Sequence, residues 1–189
     1  MIPKVCDNCA LGMFNTKCKC LNGVGNPMSG MIIVVQNVDY NAYKNRGMTF
    51  SKYVEIINDV ITPFTGGPGQ LDPFIVPLIR CKLDERCPVN QYIANRCMLH
   101  TFADIRINNI KKIMLLGNAA TNFGFDITKG KDKLYYIVPY VYSTNYSPFI
   151  KFIDDNKYDE FRNRLVKWLT ANKDNNYNEM EIINISNDT

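Results

Sequence analysis

The chain has 189 residues, of which 46% are apolar, and a formal net charge of +4, enough for one domain with a substantial core. Its longest apolar run, around Met31 to Val35, is far too short to span a bilayer, and the N-terminus carries Cys and Asn where a secretory signal needs an apolar stretch. These features argue against a membrane protein and for an intracellular, cytoplasmic one, in whose reducing surroundings 7 cysteines favour metal over disulfides.

In chain order, a cysteine-rich start leads into the turn-forming stretch Gly23-Val24-Gly25-Asn26-Pro27 and then the apolar run Met31 to Val35, which predicts a central strand buried on both faces. Phe50, Tyr53, Val54, Ile57, Val60 and Ile61 fall at helical spacing and predict an amphipathic helix over 50–61. Phe74 to Ile79 reads as a second strand, placed at an edge or a bulge by Pro77. A helix is expected from about Asn90 to Arg106, a strand at Lys112 to Leu116, and a fourth strand around Tyr135 to Val138. Phe161, Leu165, Trp168 and Leu169 put one apolar stripe on a closing helix. Alternating strands and helices predict an α/β fold: a three-layer α/β/α sandwich around a mostly parallel, four-stranded sheet. Residues 1–172 form a single domain with an N-terminal metal-binding segment, and 173–189 form a polar, Asn-rich tail in which Ile182, Ile183 and Ile185 could dock as a short strand.

The cysteines carry the chemistry. Cys6 and Cys9 form a CxxC pair, and Cys81 and Cys97 follow far along the chain, so these four thiols suit a cage that only tertiary structure can close. Thiolates are soft ligands and four of them suit either iron–sulfur or zinc. A compact zinc site of Cys6, Cys9, Cys18 and Cys20 is the rival arrangement, and under the long-range cage Cys18, Cys20 and Cys87 are ordinary thiols.

This order of landmarks resembles the iron–sulfur, family 4 type of the uracil-DNA glycosylase superfamily. The CxxC pair, the turn Gly23 to Pro27, the strand Met31 to Val35, Arg46-Gly47 with Phe50, Cys81 and Cys97, and Leu116-Gly117 with Ala119-Ala120 fall in family order over roughly Cys6 to Ser143. The resemblance implies the glycosylase-like fold and a structural [4Fe-4S] cluster on Cys6, Cys9, Cys81 and Cys97. Uracil excision needs a flipped base, an aromatic platform and electrostatic stabilisation of the departing uracil. By register with the family, Phe50 matches the platform and, with Asn37, lines the base pocket. The acidic loop falls on Val35-Gln36-Asn37-Val38-Asp39, without its glycines or glutamate. The pyrimidine-reading Asn falls near Pro77, and the His-Pro-Ser loop falls on Tyr142-Ser143-Thr144. Three of the four chemical motifs are therefore altered while the cysteine frame stands.

That asymmetry predicts a catalytically degenerate, DNA-binding accessory protein of replication or repair. An active DNA glycosylase for uracil or another modified base is the alternative, with Gln36 or Asp39 orienting water and Tyr142 or Asn145 touching the base. A third reading is a structural module with a local zinc site that docks on a replication or viral protein. Lys129, Lys131 and Lys133, with Ser143, Thr144, Asn145 and Tyr146 at a strand end, form the expected DNA-binding surface, against a plain solvated loop for the lysines. The modest charge permits that role without demanding it. The abundance of Asn, Lys, Ile and Tyr, whose codons are A/T-rich, suggests a virus or mobile element as the source. His100, the only histidine, receives no role.

Overall fold

The structure is a computed structural model that describes residues 6, 9–14, 20–64, 72–87, 89–110, 112–116, 136–140 and 158–170. Strand β1 (Met31–Val38) is paired in parallel on both sides, by β2 (Phe74–Lys82) and by β3 (Lys112–Leu116). These three make a small parallel sheet, and β4 (Tyr136–Tyr140) runs along β3 to give the order β2-β1-β3-β4. A parallel pair needs a crossover between its strands. Helix α3 (Lys52–Ile61) lies between β1 and β2 in sequence, and α4 (Gln91–Ile107) between β2 and β3. The short α1 (Ala10–Phe14) and α2 (Tyr40–Lys44) and the closing α5 (Tyr158–Thr170) complete the set, so the expected α/β character is present. Among the described residues no helix is long and apolar enough to cross a membrane.

The two-residue period of a strand sends alternate side chains of β1 into different cores. Met31, Ile33 and Val35 join Tyr53, Ile57 and Val60 of α3 and Phe161, Leu165, Trp168 and Leu169 of α5. Ile32 and Val34 join Leu11 of α1, Val76 and Leu78 of β2, and Ile93, Met98 and Ile105 of α4. This two-sided burial is why β1 reads as an unbroken apolar run.

Strand β2 lies at the sheet edge, as its proline requires. Ile75 exchanges both backbone hydrogen bonds with Val24 on the outer side, at 2.7 and 2.9 Å. Pro77 is two positions on and has the same orientation, so its missing N–H costs the β1 ladder nothing. The segment from Cys20 to Val24 covers that edge, held further by Leu21 N–H donating to Arg80 O at 2.8 Å. It turns away at Gly25, where φ is +94° and a Cβ would stand 2.2 Å from Pro73 O, so a side chain is excluded twice over.

Helix α3 begins later than its apolar spacing suggests. Ser51 caps it by accepting from Tyr53 N–H, and Phe50 falls in the preceding 3-10 turn (Met48–Phe50) with 55% of its surface exposed. Phe50 is therefore neither the first core residue of the helix nor part of it. At the other end of the molecule, Lys112 Nζ donates to Trp168 O and Leu169 O at 3.0 and 2.9 Å, placing a cation at the C-terminal end of α5.

Candidate metal centre

The cysteines gather where the N-terminal segment, the end of β2 and α4 meet. Cys6 and Cys9 are joined by a turn in which Cys9 N–H donates to Cys6 O at 3.2 Å, and α1 starts at the next residue. Helix α1 can approach this turn because Gly12 lacks a side chain: a Cβ there would come within 2.7 Å of Cys6 O. Cys81 lies near the end of β2, and Cys97 lies on the inner face of α4. Cys6, Cys9, Cys81 and Cys97 are all buried, and the 6 described cysteines are all free thiols.

The four thiols of the expected cage feel one another. Burial pushes the Cys97 thiol up to about 11, opposed by a backbone hydrogen bond from Arg80 and reinforced by Cys81, Cys9 and Cys6. Cys81, Cys9 and Cys6 thus lie near enough to Cys97 for their charges to act on it. Without a cation, ionising several thiols in such a place is costly; a bound metal reverses that cost.

Two further donors stand in the same region. Cys20 is half-buried, with its thiol raised first by burial, while Arg80 and a hydrogen bond with Cys6 pull it down and Cys81 and Cys97 push it up. His100 Nε2 lies 3.3 Å from Cys6 Sγ and 3.8 Å from Cys20 Sγ, and the three donor atoms are all within 4.8 Å of one another. Burial and the nearby Arg80 lower the imidazole pKa, with Asp104 opposing. The absence of a role for His100 is corrected by this geometry: it follows Cys97 by three positions on α4, one helical turn along. That spacing was the available signal. Cys20 joins Cys6 as the compact zinc arrangement expects, while Cys18 lies outside the described residues. Cys87 lies in the turn from Asp84, buried in the same apolar core as Cys9, Cys81 and Cys97, and Arg86 holds the Asp84 carboxyl down at about 2.

Arg80 supplies the one buried cation beside the thiols among the described residues, with 4% of its surface exposed. Its guanidinium pairs with Asp104 of α4, while its Nε–H has no hydrogen-bond partner among the described residues. An orphaned buried donor beside a group of sulfurs fits an anionic metal–thiolate centre, whose sulfurs accept hydrogen bonds.

The C-terminal end of β1 carries the other expected site. Gln36 is partly buried, and its Oε1 has no partner among the described residues. Asn37 turns its Nδ2 onto Val38 O at 3.0 Å, next to a register shift in the β1–β2 ladder. Asp39 caps α2 through Oδ1, accepting from Ala42 N–H at 2.9 Å; its Oδ2 accepts from Ser51 Oγ and from Lys52 N–H at the start of α3. Both carboxylate oxygens are therefore committed to backbone architecture. Through Ser51, the same contacts hold the exposed Phe50 near the end of β1. Tyr142, Lys129, Lys131, Lys133, Ser143, Thr144, Asn145 and Tyr146 lie outside the described residues.

No protein-family model matches the chain, and no curated protein matches it either.

Proposed function

We propose that this is a metal-braced protein with a uracil-DNA glycosylase-like fold that binds DNA as an accessory of replication or repair and has lost efficient base excision. The observation that supports the reading is that Cys6, Cys9, Cys81 and Cys97, two pairs distant in the chain, are all buried, with the other three near enough to act on the Cys97 thiol. Four thiolates are the donor set that would hold a [4Fe-4S] cluster. When bound, the cluster would brace the N-terminal segment against β2 and α4. The chain's own residues would do the rest: Arg80 supplies positive charge beside the thiolates, and Phe50 offers an exposed aromatic face for a base. The commitment of Asp39 to two helix caps supports the loss of excision, because three hydrogen bonds already fix its carboxylate and draw on its acceptor capacity. The protein acts inside the cell on this reading, and DNA, with a replication or viral protein as a further partner, is its target.

The test begins with iron, acid-labile sulfide and zinc in protein purified without oxygen, followed by DNA binding at several salt concentrations and a uracil-release time course on single- and double-stranded DNA. Salt-dependent binding with no release is the expected result. Efficient release of uracil would instead establish the active-enzyme reading, which the buried Gln36 Oε1, without a partner among the described residues, favours.

A further inference from the structure

A tetrathiolate cage uses four donors, yet six soft donors reach this region: Cys6, Cys9, Cys20, Cys81, Cys97 and His100. The surplus pair, Cys20 and His100, is not scattered around the cage but closes on one of its members. Around a tetrahedral zinc ion, ligand distances of about 2.3 Å for sulfur and about 2.0–2.1 Å for imidazole nitrogen place neighbouring donors about 3.5–3.8 Å apart. The separations of 3.3 Å between Cys6 Sγ and His100 Nε2, and 3.8 Å between Cys20 Sγ and His100 Nε2, bracket that spacing. Among the described residues, Cys6, Cys20 and His100 are the one such compact group of metal-binding side chains.

We propose that Cys6, Cys20 and His100 form a second metal site, for a single zinc ion, joined to the tetrathiolate cage through the Cys6 sulfur. A thiolate keeps lone pairs enough to bind on both sides. Two thiolates and an imidazole are a donor set that zinc takes readily, with a fourth position filled by water or another donor. Cys20 and His100 are both half-buried, so an ion can enter from their side while Cys81 and Cys97 stay sealed behind it. The nearby Arg80 charge favours thiolates but opposes an added cation, and its ion pair with Asp104 offsets that repulsion. The ion would tie the N-terminal segment, the covered edge of β2 and α4 at one point. The link to the cage rests on the proposed function, while the zinc site of Cys6, Cys20 and His100 is tested separately from it.

Metal analysis of the full chain, purified without oxygen or chelator, tests it, with circular dichroism on every variant to confirm folding. The expected content is about one zinc beside about four irons. His100→Gln and Cys20→Ser should each lose the zinc and keep iron and sulfide, Cys81→Ala should lose iron and keep zinc, and Cys6→Ser should lose both. Zinc that depends on His100 and Cys20 in a protein with no iron would support this site while removing the iron–sulfur reading. Absence of zinc from the wild type, zinc indifferent to His100→Gln, or zinc and iron falling together in both single-site variants would overturn the second site. As a second measurement, cobalt(II) added to metal-free wild-type protein should give the visible absorption of a tetrahedral thiolate site, altered by His100→Gln; an identical spectrum in the variant overturns the proposal.

Discussion

His100 Nε2 stands 3.3 Å from Cys6 Sγ although 94 positions separate them in the chain. A metal held there closes most of the described N-terminal half into a loop, and the closure is lost when the metal leaves.

Metal removal is the first prediction. Binding to the native state alone stabilises by about 2.7 kcal/mol when free ligand is a hundredfold above its dissociation constant. A chain of this size should therefore melt about 5–10 °C lower after chelation or oxidative loss of the centre. Limited proteolysis should then cut first between Cys6 and Cys20, and equal protection with and without metal would count against the brace.

Asp104→Asn should destabilise by about 3 kcal/mol, because it leaves the Arg80 guanidinium buried without its carboxylate. Anionic thiolates would supply part of the missing charge. The loss measured by denaturant titration should thus be smaller in metal-loaded than in metal-free protein, and equal losses would show that Arg80 does not sense the centre.

Asp39→Ala should cost about 2 kcal/mol by removing caps from both α2 and α3. The cost should appear in stability while DNA affinity at matched salt changes little. A variant of unchanged stability that lost uracil excision would return Asp39 to the chemistry.

Phe50→Ala should change stability by less than about 0.5 kcal/mol, since the ring is more than half exposed. Its effect belongs in binding, where an aromatic stacked on a base contributes about 1–3 kcal/mol. Unchanged affinity for single-stranded DNA would exclude it as a platform.

Trp168→Ala should cost about 4 kcal/mol, because the indole is 2% exposed and packs in the core between α5 and the sheet. Lys112→Met should cost less, removing two hydrogen bonds to the last carbonyls of α5 while keeping the side-chain length.

Much of the scaffold was legible because burial leaves a periodic mark. The apolar run in β1, the stripe on α5 and the edge placement of β2 at Pro77 all follow from which faces must be dry. The start of α3 was read too early because Phe50 continues the apolar spacing, although Ser51, the residue able to cap, stands just after it. That buried cysteines from distant parts of the chain would gather in one region was legible as a tertiary arrangement. His100 was legible only faintly, through its place one helical turn after Cys97, and it acquires meaning when Cys6 arrives from elsewhere. Asp39 was equally opaque: capping α2 is a local signal, but reaching Lys52 depends on how two helices meet.

The sheet also works as a partition. The four described cysteines of the apolar cores, Cys9, Cys81, Cys87 and Cys97, all lie on the side of Ile32 and Val34, and among the described residues the core around Trp168 contains none. Thiol oxidation among the described core residues is thereby kept to one side of the sheet. A protein that has lost its sulfur chemistry would shed α1 and loosen α4 while the layer of α3 and α5 held, and so would melt in two stages where the intact protein melts in one.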